Sequence, residues 1–146
     1  MLRGNAPATI DDKGRLKVPA AFRRAIEDAW GSDFYVTSLD GVGVRLYPFP
    51  VWLEIESKIS AAPSLNPSVG RFLDIVSYYG AQAGMDRQGR LLIQTQLREA
   101  AEMRGEVAVL GKQNHLEVWN NERFVSRLRA NPLTEEDRRI LSGLGL

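Results

Sequence analysis

Short runs of alternating apolar and polar residues are separated by glycine-containing turns, and each pair of runs is followed by a helical pattern. Residues 8–10 and 15–18 flank Gly14 and predict a short β-hairpin. Pro19 suits the first turn of a helix, where its missing N–H is not needed, and we predict that helix over residues 20–29. The residues expected on its buried face are Phe22, Ala25, Ile26 and Ala29.

The same order of elements then continues along the chain. Asp40 and Gly41 predict the turn of a second hairpin, and a helix should follow from Pro48 to about Ala61. Residues 68–75 predict a short helix, after which residues 76–79 are expected to begin a second strand–turn–helix series. The remaining predicted elements are a hairpin around 86–90, a helix over 96–103, strands at 107–110 and 116–119, a helix over 122–128, and a last short helix capped by Thr134.

The chain contains the same unit twice. A shift of 75 positions places Asp11 on Asp86 and Arg15 on Arg90. The same shift also superposes Gly14 on Gly89, Leu16 on Leu91, Phe22 on Leu97, Arg23 on Arg98 and Ala25 on Ala100. Each copy spans about 45–50 residues, which is near the lower limit for an independent hydrophobic core. The two copies are therefore expected to pack together, giving an α+β protein with two pseudo-symmetric β-units.

Composition narrows the class of protein but does not identify its function. The chain is 44% hydrophobic and 25% charged, which is typical of a globular protein, and it has no cysteine for disulfides or thiolate metal sites. It shows no signal peptide and no apolar run of membrane-spanning length, so we expect a soluble, cytoplasmic protein. The net charge is only +1, but 15 of the 19 basic residues are arginine, which suits both phosphate recognition and ordinary ion pairs.

The repeated Asp-x-x-x-Arg motif is the candidate functional feature, and it has two interpretations. Asp11 and Asp86 can each stabilise a turn through an ion pair with Arg15 and Arg90, as surface carboxylates commonly do. Alternatively, each aspartate orients an arginine whose remaining donors bind an anion. The second interpretation is supported by the cationic neighbours Arg3, Lys13, Lys17 and Arg87.

Other candidate sites are weaker. Asp11 and Asp12 lack the histidine or further acids that catalysis or a metal ion would need, and His115 is the sole histidine. Arg23 and Arg98 recur on the predicted helices, where a solvated face, an ion pair or a DNA contact would all fit. We expect no enzyme activity, cofactor, metal or small-molecule substrate.

The two motifs and their surroundings resemble the MraZ family. Residues 3–5 and 11–23 resemble its first half, and residues 89–93, 97–101, 110–111 and 116–119 resemble its second half, although Gln94 stands where the first repeat has Pro19. The resemblance implies a tandem of swapped-hairpin β-units of the SpoVT-AbrB type. It also implies a bacterial transcriptional regulator that forms ring-like homo-oligomers and associates with the nucleoid. Such a protein would bind short direct repeats in double-stranded promoter DNA upstream of the division and cell-wall genes, including its own, usually as a repressor.

On this basis, we expect Arg15 and Arg90 to contact DNA, Asp11 and Asp86 to orient them, and nearby cations to assist. The expected assisting residues are Arg3, Lys13, Lys17 and Arg87. The expected division of the chain is repeat 1 over 5–52, a helical connector over 53–79, repeat 2 over 80–124 and a helical tail over 125–146. The alternative function is an antitoxin-like or protein-interaction module built on the same β-fold.

Overall fold

The computed structural model describes residues 1–63 and 65–146; Ser64, in the expected connector, lies outside the described residues. In these ranges the chain forms eight strands and six helices. In chain order they are β1 (Leu2–Ile10), β2 (Arg15–Lys17), α1 (Ala20–Trp30), β3 (Asp33–Thr37), β4 (Val44–Pro48), α2 (Phe49–Ala61), α3 (Pro67–Tyr78), β5 (Ala81–Gly84), β6 (Arg90–Leu92), α4 (Thr95–Ala100), β7 (Gly105–Gln113), β8 (Leu116–Asn120), α5 (Asn121–Ala130) and α6 (Glu135–Gly143).

One antiparallel sheet contains all the strands, and the two repeats exchange strands within it. The strand order is β5-β3-β4-β8-β7-β1-β2-β6. The first strand of repeat 1, β1, pairs with β7 of repeat 2, and the corresponding first strand of repeat 2, β5, pairs with β3 of repeat 1. The edge strands β5 and β6 also lie close together, so the sheet is nearly closed. The α+β class and the swapped-hairpin arrangement predicted from the sequence are confirmed.

An internal two-fold axis relates the repeats and passes through two strand pairs. Between β2 and β6, Leu16 lies opposite Leu91, its equivalent in the other repeat. Between β4 and β8, Arg45 lies opposite Glu117, each the second residue of its strand, with 4.0 Å between Arg45 Nε and Glu117 Oε2. The equivalent loops of the two repeats therefore lie on either side of the β2–β6 pair.

Both repeats contribute to the main hydrophobic core. Leu16, Leu91, Phe34 and Leu116 are fully buried and belong to one cluster. Because this cluster needs side chains from both halves, burial favours the complete chain over either repeat alone. A smaller cluster lies beneath α2 and α3, where Trp52 stacks on Tyr35 at a ring-centroid distance of 4.3 Å.

Three local predictions were wrong. On α1, Phe22 and Ile26 are buried as expected, but Ala25 and Ala29 are exposed because only a narrow stripe of the helix faces the sheet. Residues 76–79 do not begin the second repeat: α3 continues to Tyr78, and β5 starts at Ala81. The helix predicted over 96–103 is confined to α4, which stops at Ala100 before Glu102 adopts a positive φ of 52°.

Candidate nucleic-acid interface

The loop between β1 and β2 is organised around the carboxylate of Asp11. One oxygen, Oδ1, accepts hydrogen bonds from the backbone N–H groups of Lys13 at 3.0 Å and Arg15 at 2.8 Å. The other, Oδ2, accepts from Nε of Arg15 at 2.8 Å. Gly14 has a φ of 84°, which glycine adopts without the steric cost that a side chain would add. A single aspartate therefore fixes both the conformation of the turn and the position of Nε in the Arg15 side chain.

The loop between β5 and β6 repeats this geometry. Oδ1 of Asp86 accepts from the backbone N–H groups of Gln88 and Arg90, each at 2.9 Å. Its Oδ2 accepts from Nε of Arg90 at 2.7 Å. The duplicated motif is thus a duplicated structure.

Both aspartates are held in the charged form. The backbone N–H of Arg15 is the largest influence that lowers the pKa of Asp11, with further help from the Arg15 side chain. The corresponding bond from the backbone N–H of Arg90 lowers the pKa of Asp86 to about 2. At neutral pH each arginine is therefore oriented by a fixed negative charge.

The arginine ends remain available for a further ligand. The side chains of Arg15 and Arg90 are 29% and 31% exposed, and each uses Nε for its aspartate. Across residues 1–63 and 65–146, neither arginine gives a terminal Nη group to a protein acceptor. The ion pair and the capacity to bind an anion therefore coexist in one side chain.

The β2–β6 pair places the two arginines on a single outward-facing surface. Leu16 and Leu91 point into the core, so the residues on either side of them point away from it. Across the pair, Arg15 lies opposite Leu92 and Lys17 lies opposite Arg90. We call these four residues the dyad patch. Lys17 and Arg90 therefore place two positive charges side by side, and that of Arg90 is paired with the carboxylate of Asp86.

The other predicted site residues are not all close to this patch. Lys13 and Arg87 are exposed on the two adjoining loops. Arg3 lies at the opposite end of β1, opposite Lys112 of β7. Because Arg3 precedes Asp11 by eight positions of extended chain, the two are separated by roughly 26 Å along the strand. The structure therefore brings the dyad patch and the two loops that carry Lys13 and Arg87 close to the axis. Arg3 lies apart from them.

Two positioning residues were not identified as such from the sequence. Arg98 lies over Gly14, where a Cβ atom would overlap its guanidinium group, and its Nε donates to the carbonyl of Ile93 at 2.7 Å. Arg23 lies over Gly89, and its Nη2 donates to the carbonyl of Arg87 at 2.9 Å. Each arginine therefore supports the loop of the other repeat. Their recurrence at the same 75-residue shift as the two glycines was the available signal.

Backbone hydrogen bonds complete this cross-bracing. The N–H of Val18 donates to the carbonyl of Gly89 at 2.9 Å, and the N–H of Ile93 donates to the carbonyl of Gly14 at 3.0 Å. Since each loop is bonded to the strand of the other repeat, the two loops are held at a fixed separation. A rigid pair of loops loses little conformational entropy when it binds a ligand.

The remaining candidates are placed away from this surface. His115 stacks on Tyr47 at 4.8 Å, and burial, followed by the charge of Arg45, lowers its pKa to about 4. In the part of the chain that the structure describes, no three His, Cys, Asp or Glu side chains are grouped in a way that could hold a metal ion. Within the same residues, every helix is too short or too polar to cross a bilayer.

Comparison with known proteins shows the family of this chain. A family model described as "MraZ protein, putative antitoxin-like" matches residues 80–142. The transcriptional regulator MraZ of Koribacter versatilis is 50% identical over 147 residues, and that of Acidobacterium capsulatum is 46% identical over 146, each match covering the whole of both chains. The transcriptional regulator MraZ of Chromobacterium violaceum is 34% identical over 127 residues, covering 87% of this chain and 86% of the relative. With two matched loops at an internal two-fold axis and relatives that align from end to end, this chain belongs to the MraZ family of transcriptional regulators.

Proposed function

We propose that this chain regulates transcription by binding double-stranded DNA in a sequence-specific manner through the dyad patch and its two loops. The observation that most supports the proposal is the pair of carboxylate-oriented arginines, Arg15 and Arg90, on one outward surface. Their terminal N–H groups suit phosphate oxygens or the O6 and N7 atoms of guanine. The charge density is local, since the whole chain carries only +1.

The predicted residues have different roles in this proposal. Asp11 and Asp86 orient the arginines, and Arg15 and Arg90 contact base edges. Lys13, Lys17 and Arg87 bind phosphates near the patch, while Arg3 binds the flanking duplex because it lies at the far end of β1. Phosphate contacts provide salt-dependent affinity, and arginine–guanine contacts provide a preference of about 1–3 kcal/mol each.

We also propose that binding requires self-assembly. One patch makes few contacts, whereas a ring-like homo-oligomer would present several patches to a series of repeated promoter sites and gain through effective concentration. In this arrangement residues 5–52 and 80–124 form the DNA-facing units, with 53–79 as connector and 125–146 as tail. The proposed targets lie upstream of the division and cell-wall genes, including the gene for this chain, and binding on the cytoplasmic nucleoid would repress them.

The experiment that tests this function measures binding to the DNA upstream of the gene for this chain at two salt concentrations. Arg15→Ala and Arg90→Ala should each weaken binding about 5- to 150-fold, since each removes about 1–3 kcal/mol of contact. Arg71→Ala provides a matched control, because Arg71 is an exposed arginine on α3. Light scattering should show that all variants keep the wild-type mass. A folded Arg15→Ala/Arg90→Ala double variant with unchanged affinity and salt dependence would overturn the proposal.

The alternative is an antitoxin-like module that neutralises a protein partner. The description of the matching family model favours it, as do the exposed apolar residues Leu133, Ile140 and Leu144 on and near α6. Removal of residues 132–146 separates the two functions. The regulator should still bind DNA after this truncation, whereas the module should lose its partner and show no salt-dependent binding of DNA before or after it.

A further inference from the structure

The internal two-fold symmetry is broken within the dyad patch itself. The 75-residue shift relates Lys17 to Leu92, and both side chains point outward from the same strand pair. Lys17 lies opposite Arg90, so its equivalent Leu92 lies opposite Arg15. The end of the patch formed by Lys17 and Arg90 is therefore cationic on both strands. The other end pairs the cationic Arg15 with the apolar Leu92.

The position of Leu92 is unusual for an exposed leucine. Its side chain is 50% exposed although the buried core lies one residue away on either side, at Leu91 and Ile93. Single exposed leucines are common and need no explanation on their own. Leu92, however, is the neutral member of a four-residue surface whose other members are Arg15, Lys17 and Arg90.

An apolar group beside an arginine matches one feature of the major groove. Arginine pairs with the O6 and N7 acceptors of guanine, while an apolar side chain recognises the C5-methyl group of thymine. Cross-strand side chains lie about 5 Å apart at Cβ, and neighbouring base pairs are separated by 3.4 Å along the helix axis, so two such side chains can reach adjacent base pairs. A lysine at the same position would recognise no methyl group.

We infer that Leu92 is a specificity-determining residue that contacts the methyl group of a thymine next to the base read by Arg15. This inference rests on the proposed function. Lys17 occupies the equivalent position and supplies a cation there, so the two ends of the patch recognise different chemical groups on the DNA. Each protomer accordingly binds an asymmetric sequence in one orientation, despite its nearly symmetric frame.

The experiment removes only the methyl group. A duplex selected from a random library with the wild-type protein is resynthesised with single thymines replaced by deoxyuridine. At one thymine, this replacement should weaken wild-type binding about four-fold, since burial of one methyl group contributes about 0.8 kcal/mol. Leu92→Ala should bind the thymine and uracil duplexes with equal affinity.

A matched variant separates this effect from a general loss of leucine. Leu53 on α2 is 48% exposed, close to the value for Leu92, and lies outside the dyad patch. Leu53→Ala should keep the four-fold difference between thymine and uracil, whereas Leu92→Lys should remove it. If wild-type protein selects no duplex, both the proposed function and this inference fail. If it binds but no uracil duplex is weaker, or Leu92→Ala keeps the difference, the inference alone is overturned.

Discussion

Single aspartates determine how each arginine of the patch is presented. Asp86 binds two backbone N–H groups and Nε of Arg90, so one carboxylate links loop shape to side-chain direction. Asp11 does the same for Arg15. Because an aspartate bound in this way is stabilised in its charged form, its contribution to folding depends on pH.

Asp86→Asn should reduce the dependence of stability on acid pH. The folded pKa of Asp86, about 2, is below the ordinary value of 3.8. The stabilisation it provides is therefore fully present above pH 3.8 and is lost as the pH falls towards 2. Urea midpoints measured across this window should fall less steeply for the variant than for the wild type. Parallel curves with equal slopes would contradict the role assigned to the carboxylate.

Gly14→Ala should destabilise the protein more than Gly4→Ala. Both glycines have positive φ, 84° and 86°, so both substitutions incur backbone strain. Only a Cβ at Gly14 would overlap Arg98, which must then leave its hydrogen bonds to Ile93 and Thr95. We expect an additional loss of about 1–2 kcal/mol, measured by chemical denaturation. Equal losses at the two positions would mean that the contact with Arg98 contributes nothing.

At the scale of elements, helix α6 is locally well formed but weakly attached. Thr134 and Asp137 form a reciprocal capping box, with bonds of 3.1 and 2.9 Å. The helix has no buried residue. Its stability is therefore expected to depend on its own capping and to contribute little to global unfolding.

Thr134→Ala should accordingly loosen α6 without changing the global urea midpoint. Loss of a threonine cap costs about 1 kcal/mol, which corresponds to about five-fold faster hydrogen exchange at the amides of this helix. Ser126→Ala, on the exposed face of α5, should leave exchange in α6 unchanged. A lower global midpoint for Thr134→Ala would show that α6 is part of the cooperative core.

Elements with strong local signals were predictable, and those that depend on distant partners were not. The hairpin formed by β3 and β4 and the capped start of α6 follow from nearby turn and capping residues. The last turn of α3 does not: the carbonyl of Val76 accepts hydroxyl groups of Tyr35 at 3.0 Å and Thr37 at 2.8 Å, about 40 positions away. The residues next to Val76 in the sequence do not reveal those distant donors, so the helix was predicted to end near residue 75 and the second repeat to begin at residue 76.

The candidate site was predictable to a similar extent. The Asp11–Arg15 and Asp86–Arg90 pairs are four positions apart, so their contacts could be inferred from spacing and repetition. The support of each loop by Arg23 or Arg98 crosses between repeats and depends on the sheet register. The same register is needed to place Leu92 opposite Arg15.

For the whole molecule, the exchange of strands makes each repeat depend on the other. Fragments 1–79 and 80–146 separate β1 from β7 and β3 from β5. Each fragment alone should therefore lack stable structure as a monomer, and mixing them should restore the circular dichroism spectrum of the intact chain. A fragment that unfolds cooperatively as a monomer would contradict this dependence.

The pair of Arg45 and Glu117 on the internal axis would not be possible in a dimer of identical units. In a homodimer of identical units, a residue on the two-fold axis faces its own copy, so an arginine would meet an arginine. In this chain the corresponding position is Arg45 in one half and Glu117 in the other, and the two face each other with opposite charge. Because the two halves are covalently fused, the residue at the central position no longer has to pair with a copy of itself. A substitution in one half can then be balanced by a different substitution at the matching position of the other half.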